Sequence, residues 1–335
     1  MKRALVGMRM NKITYIADSK GWVQSGRYKI LNKYLGGEFQ IHNLNEDVIR
    51  FFLLKYFKQI PEYTYFASWR MVLSNNLWEK ADLSQCMTSV TSHSNIGGGL
   101  NLLSVIGKNN KIEDKDKVFK KAVNILKRFK VVTVNSMRLY ELLYPSVENI
   151  VYLPNGVEFN KFIPFGLKKY NRKKIVIGWV GKRRAAKNYE LLKDLKKSLD
   201  NNFVLKELII EKNQKSILNQ SEMVEYYNSL DFYLCTSWDE GTPNPALEAA
   251  SCGVPIISTK VGNMPELIVH GENGFFIEPQ LSSLIKVLNE ISLFNEMNYN
   301  KLSSKIRKDI VENWTWEKQV LGYKKAFEKL LKKER

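Results

Sequence analysis

The sequence predicts an α/β protein built from two doubly wound, Rossmann-like domains that face a central cleft. Three observations carry this. Short apolar runs alternate with amphipathic segments, the alternation restarts after a basic stretch at mid-chain, and 335 residues suit two domains of ordinary size. The composition, 44% hydrophobic and 26% charged, lies near globular averages and excludes wholesale disorder and low-complexity architectures. No repeat recurs at a fixed period, which sets aside solenoids and propellers.

Taken in order, Ile13–Ala17, Tyr63–Ser68, Cys86–Thr91, Val131–Val134 and Ile150–Leu153 read as buried strands. Lys115–Arg128 reads as a helix, because Val118, Ala122, Ile125 and Phe129 recur at helical spacing while lysines fill the other faces. After Lys161–Lys174 the pattern begins again. Ile175–Gly181 is a continuous apolar strand, and Asn188–Leu199 is a helix with Leu191, Leu192, Leu195 and Leu199 on one side. Asp231–Ser237 and Val254–Thr259 are further strands, and Trp316–Lys333 is a final helix. The expected units are a first Rossmann-like domain over residues 1–160, a second over 161–315, and a terminal helix over 316–335 packing back toward the first domain.

No apolar run reaches the ~18–20 residues that span a bilayer, and the first residues lack the apolar stretch of a signal peptide. Three widely spaced cysteines, Cys86, Cys235 and Cys252, give neither a disulfide framework nor zinc-ligand spacing, so a reducing cytoplasm is expected. The formal charge of +18 implies an anionic partner. It is concentrated: residues 108–130 carry net +6 and residues 161–187 net +10. Charge alone admits a nucleic-acid-binding protein, but no aromatic RNA-recognition motif or zinc spacing accompanies it, and no nucleic acid is expected.

The most informative stretch is Asp239–Ile257, DEGTPNPALEAASCGVPII. Asn244 suits an N-cap, Pro245 the first helical position and Gly253 the position after the helix, while Pro255 prevents continuation. A helix opening directly after a strand turns its free N–H groups toward the cleft and makes a phosphate site. Glu240 precedes this helix and Glu248 is expected in its first turn. A carboxylate there accepts hydrogen bonds from sugar hydroxyls, while the amides of Gly241 and Thr242 serve phosphate or sugar oxygens. A bare dipole-complementing role for Glu248 is the alternative.

These two glutamates, with EAASCGVPIIST, VGNMPELI and ENGFFIEP, resemble the donor-binding signature of the family-4 retaining glycosyltransferases (glycosyl transferases group 1), which have the GT-B fold. VVTVNS at Val131–Ser136, VYLPNGVEFNKF at Val151–Phe162 and YYNSLDFYLCTS at Tyr226–Ser237 extend the resemblance over most of residues 131–279. The resemblance implies that the domain over 1–160 binds the acceptor and that over 161–315 the donor, with Glu248 on the nucleotide ribose and Glu240 on the donor sugar. It also implies a function: transfer of a sugar from a nucleotide diphosphate sugar to a hydroxyl of a glycan or lipid-linked acceptor. Cell-surface polysaccharide or glycoconjugate synthesis is the setting it implies; a catalytically silent sugar-nucleotide-binding protein is the alternative.

Gly181 ends a strand and is followed by Lys182, Arg183, Arg184 and Lys187, cations placed to stabilise a departing diphosphate. Lys187 matches the family's lysine. Lys182 stands where the family has arginine, so Arg183 or Arg184 is left to supply a guanidinium. His93, at the end of Cys86–Val90, stands where the family often has a histidine near the donor sugar. Asp18–Arg27 resembles the family's glycine-containing loop, with Gly26 letting the backbone approach phosphate, and Gly97–Gly99 reads as a turn or a closing loop. Asn219 is a candidate for base recognition. Asp114-Lys115-Asp116 has the form of a metal-binding DxD but opens a lysine-rich helix, where capping accounts for it; metal-independent transfer is expected. The basic residues 108–130 and the apolar-aromatic segment Val48–Ile60 suit an anionic membrane surface on the inner face of the cell membrane, or else a core helix with a solvated face.

Overall fold

The computed structural model describes residues 11–17, 23–43, 60–74, 81–96, 115–171, 173–210 and 218–332. Within them lie two parallel sheets. The first holds β1 (Asn11–Ile16), β2 (Phe39–Asn43), β3 (Thr64–Phe66), β4 (Cys86–Val90), β5 (Val131–Val134) and β6 (Ile150–Tyr152), in the order β2-β1-β3-β4-β5-β6. The second holds β7 (Ile175–Gly181), β8 (Phe203–Ile209), β9 (Phe232–Cys235), β10 (Ile256–Ser258) and β11 (Gly274–Phe276), in the order β11-β10-β9-β7-β8. All pairings between neighbouring strands are parallel. Each order reverses once, between β1 and β3 and between β7 and β9. Ligands of open α/β sheets sit at such switch points, beyond the carboxyl ends of the strands.

Helices cover both faces, which is why the strands read as continuous apolar runs rather than alternating ones. In the first domain these are α1 (Val23–Leu35), α2 (Arg70–Ser74), α3 (Lys115–Leu126) and α4 (Met137–Leu143). In the second they are α5 (Tyr189–Ser198), α6 (Gln220–Asn228), α7 (Asn244–Ser251), α8 (Met264–Leu267), α9 (Leu281–Ser292) and α10 (Glu296–Asn313), followed by α11 (Trp316–Leu331). On one face of the first sheet, Ala122, Leu126 and Phe129 pack with Phe66, Val90 and Val132. The membrane-facing alternative for this helix thus loses its apolar part: Ala122, Val123, Ile125 and Leu126 are buried, and the exposed side carries Lys117, Lys120 and Lys121. Residues 97–114 and 44–59, including Gly97–Gly99 and nearly all of Val48–Ile60, lie outside the described residues.

The other face of the first sheet is closed by α11, which has crossed back from the second domain. Tyr323, Phe327 and Leu330 pack with Ile13, Tyr15, Leu31 and Leu35. Phe327 is fully buried, so truncating it to alanine costs about 3–5 kcal/mol. The crossing needs Gly156: a Cβ there would lie 2.5 Å from the backbone nitrogen of Trp316. Val157 and Thr315 form a parallel bridge at that point, which ties the interdomain segment to the start of α11.

Candidate active site

At the switch point of the second sheet, Gly181 ends β7 and a tight 3-10 turn, Ala185–Lys187, follows it. Asn188 closes the turn in the left-handed region at φ 49°, a conformation that asparagine tolerates, and starts α5. The carbonyl of Lys187 accepts from Thr236 Oγ1 at 2.8 Å, and Trp238 N–H donates to the carbonyl of Ala186 at 2.9 Å. The loop after β7 is therefore anchored to the loop after β9. This brings Lys187 Nζ to 2.6 Å from Glu240 Oε1, which also accepts from Ser237 Oγ at 2.9 Å. Arg183 lies over the ring of Tyr189, 5.7 Å from its centroid, and burial together with Arg184 lowers the pKa of Lys182.

Helix α7 begins just beyond. Its cap is Pro243 and Asn244 is its first residue, so Asn244 is not the N-cap. The reason is local: Asn244 N–H turns back to the carbonyl of Thr242 at 2.9 Å, and the carbonyl of Pro243 already accepts from Ala246 N–H at 2.8 Å. Glu248 consequently falls in the second turn rather than the first. The far end ends as the sequence predicts. Gly253 has φ 75°, its N–H bonds to Ala250, and Val254 N–H bonds to Ala249, both at 3.0 Å.

Glu248 Oε2 accepts from Tyr227 Oη at 2.7 Å, and loss of water on burial pushes its carboxyl up to about 7 against the pull of that hydrogen bond. Glu248 and Asn244 line a cavity of about 470 Å3 with Arg27, Lys33, Asn155 and Lys161, so both domains contribute walls. Gly26 also lines it, but from inside α1 and not from a loop. Arg27, Leu31 and Leu35 are buried at four-residue spacing, and this face draws the segment into the helix despite its glycine. Residues 18–22, the remainder of the expected glycine loop, lie outside the described residues. Asn219 caps α6, with its side chain accepting from Glu222 N–H and Ser221 Oγ, and so is committed to the helix start.

His93 is 4% exposed, and burial, reinforced by the charge of Arg138, pushes it down to about 4, against the opposing effect of Asp239. It is a neutral imidazole at pH 7. Its Nδ1 lies 3.9 Å from Asp239 Oδ1, and Ser92 Oγ donates to Asp239 Oδ2 at 2.6 Å. The end of β4 thereby meets the loop that carries Glu240. Gly241 closes the contact: a Cβ there would lie 1.6 Å from the carbonyl oxygen of Thr91. Thr242 Oγ1 receives Nδ2 of Asn135, at 3.2 Å, and of Asn263, at 3.3 Å. On the same interface Glu266 accepts from Met137 N–H at 2.7 Å and from the hydroxyl of Tyr152.

Of the residues expected at the site, the structure brings Lys187 and Glu240 together at the switch point, beside Gly241, Thr242 and Asn244 and opposite His93. Sequence reasoning missed Asp239, Asn135, Tyr227, Glu266, Arg27 and Asn155. Arg27, Asn135, Asn155, Tyr227 and Glu266 all lie in stretches that carried the family resemblance, and Asp239 opens DEGTPNPALEAASCGVPII; Arg27 also stands at four-residue spacing from Leu31 and Leu35.

Two facing parallel-sheet Rossmann-like domains, with a helix amino end and charged groups at the switch point between them, are the GT-B glycosyltransferase architecture. Within the second domain, residues 204–309 match the model of the family described as glycosyl transferases group 1. Among relatives, a probable sucrose-phosphate synthase of Thermosipho melanesiensis is 27% identical over 213 residues, 56% of this chain and 49% of the relative. The capsular polysaccharide biosynthesis glycosyltransferase CapM of Staphylococcus aureus is 26% identical over 177 residues, 44% of this chain and 47% of the relative. The chain thus matches about half the length of these relatives. Sucrose-phosphate synthase of Thermosynechococcus elongatus shares the fold over 96% of this chain and 99% of its own, with TM-score 0.73 and 14% identity. Anabaena HepE, solved in complex with UDP and glucose, does so over 94% and 99%, with TM-score 0.65 and 12% identity.

Proposed function

We propose that the chain is a retaining glycosyltransferase that moves a sugar from a nucleotide diphosphate sugar to a hydroxyl of a glycan or lipid-linked acceptor, without a metal ion. The observation that carries this reading is the Lys187–Glu240 pair at 2.6 Å, set at the switch point just before the amino end of α7. That end turns the positive pole of the helix dipole toward a diphosphate. Lys187 stabilises the negative charge that grows on the diphosphate as the glycosidic bond breaks. Glu240, held by Lys187 and Ser237, orients the sugar, and neutral His93 packs from the opposite wall. Glu248 accepts from the ribose hydroxyls. The acceptor hydroxyl attacks from the face the diphosphate leaves, and a diphosphate oxygen takes its proton.

The relatives support this reading by what their names say of them: a sucrose-phosphate synthase, a capsular polysaccharide glycosyltransferase, and HepE in complex with UDP and glucose. Cell-surface polysaccharide or glycoconjugate synthesis is the proposed setting, and the exposed lysines of α3 are a proposed contact with an anionic membrane surface through charge alone. No described helix is long and apolar enough to cross a membrane. The test is a thermal-shift panel of nucleoside diphosphates and their sugars, followed by donor turnover with the ligand that stabilises the protein. Stabilisation by one nucleotide sugar and its turnover support the proposal. Binding with no transfer or hydrolysis across acceptors would point instead to a silent sugar-nucleotide binder.

A further inference from the structure

Arg27 is 4% exposed, and among the described residues no carboxylate accompanies it. Its Nη1 donates to Tyr65 Oη at 3.3 Å and Ser89 Oγ at 3.4 Å, its Nη2 donates to Asn155 Oδ1 at 3.2 Å, and its Nε is buried with no partner among the described residues. A buried guanidinium left with its charge uncompensated is costly to the fold unless it serves a purpose. Its surroundings indicate one, because Asn155 continues the chain of hydrogen bonds into the other domain. Asn155 Nδ2 donates to Oδ1 of Asn244 at 3.1 Å, and Asn244 is the first residue of α7 and lines the interdomain cavity.

The direction of this chain is forced by chemistry. A guanidinium has only donors, so Asn155 must turn its carbonyl toward Arg27. Its amide nitrogen then faces Asn244 and can only donate, so Asn244 must answer with its own carbonyl. The amino group of Asn244 is thereby kept clear of this contact and presented as a donor. We propose that Arg27 and Asn155 are positioning residues which fix the amide of Asn244 so that the amino end of α7 meets an anionic group with an N–H donor, backed by the uncompensated charge of Arg27. The ligand chemistry is the diphosphate of a nucleotide donor, and the inference rests on the donor site proposed above.

The experiment compares Asn155→Asp with Asn155→Ala, reading both the melting temperature without ligand and the dissociation constant for UDP, GDP or ADP, whichever binds the unaltered protein. The carboxylate introduced by Asn155→Asp can pair with Arg27 but has no N–H for Asn244, so Asn244 must reverse and show the cavity its carbonyl. The Asp variant is expected to melt at or above the unaltered protein while binding the diphosphate roughly ten- to a hundredfold more weakly, as for loss of a hydrogen bond to a charged group. The Ala variant, which frees Asn244 without reversing it, is expected to melt lower and to bind only a few-fold more weakly. A merely structural role for Asn155 predicts the opposite ranking of the two affinities. Affinity of the Asp variant equal to that of the unaltered protein, or better than that of the Ala variant, overturns the relay. Failure of every diphosphate to bind the unaltered protein overturns the donor reading itself, and the relay with it.

Discussion

The two walls of the cleft handle charge in opposite ways. On the second-domain wall, Lys187 and Glu240 neutralise one another at 2.6 Å. On the first-domain wall, Arg27 carries its charge into the interior with, among the described residues, hydroxyl and amide partners only, and His93 is stripped of its charge by burial. In the proposed function the second wall is a preformed electrostatic device, whose cation Lys187 is already fixed by Glu240 when a diphosphate arrives. The first wall holds a cation among neutral partners beside a neutral imidazole. Substitutions on the second wall should therefore strike the chemical step, and substitutions on the first should strike stability, pH behaviour or ligand affinity before chemistry.

The largest expected effect follows from removing the cation of the paired wall. Lys187→Ala leaves Glu240 without its partner and the departing diphosphate without a fixed positive charge. Turnover of the donor identified in the binding panel is expected to fall by roughly 10²–10³, the scale seen for loss of one preorganised stabilising group. Steady-state kinetics would check this, and turnover within about threefold of the unaltered enzyme would remove Lys187 from the mechanism.

The buried histidine gives the contrasting case. His93 is depressed from about 6.5 in the unfolded chain to about 4 in the fold, so the unfolded state takes up its proton first as pH falls. The stability it contributes is present above pH 6.5 and is lost between about pH 6.5 and 4, a loss of about 3 kcal/mol. His93→Gln should flatten that limb of the stability profile measured by denaturant unfolding. An unchanged slope between pH 6.5 and 4 would mean that the histidine is not held neutral.

Glu248 sits where the walls meet, and its titration runs the other way. Its folded value of about 7 exceeds the ordinary carboxylate value of 4.5, so the stability it contributes is full below about 4.5 and is lost as pH rises to 7. In the proposed function ribose hydroxyls donate to the ionised form. Affinity for the nucleotide should then rise roughly tenfold between pH 6 and 8, and Glu248→Gln should abolish the dependence. Isothermal titration at the two pH values reads both outcomes.

The same division decided what could be read from the chain. Val131–Val134 and Ile175–Gly181 match their predicted strands end for end, because interior strands covered on both faces are unbroken apolar runs. Three strands were not predicted: Phe39–Asn43, Phe203–Ile209 and Gly274–Phe276. All three are sheet edges, with a single neighbour each, and two of them carry polar residues such as Gln40, Lys206 and Glu207. On the second wall, Glu240, Asn244 and Glu248 lie within nine residues, so their local pattern was visible. The first wall joins Arg27 to Ser89 and Asn155 across 62 and 128 positions, which no local spacing reports.

The smallest expected effect tests how much of the first wall is backbone and how much is side chain. Gly26 stands one turn into α1, and a Cβ added there meets nothing within 4 Å. Alanine in place of a helical glycine at an unobstructed position stabilises by roughly 0.5–1 kcal/mol, since the unfolded chain loses freedom it no longer has to give up. Gly26→Ala should therefore raise the denaturation midpoint slightly. If the backbone of Gly26 touched the donor phosphate, as the expected glycine loop required, the same methyl group would weaken nucleotide binding. The helical placement predicts a dissociation constant within about twofold of the unaltered protein, because the added methyl meets nothing within 4 Å and Arg27, one residue on, is buried. A large loss of affinity with no loss of stability would return Gly26 to the phosphate site and show that the first wall binds through its main chain.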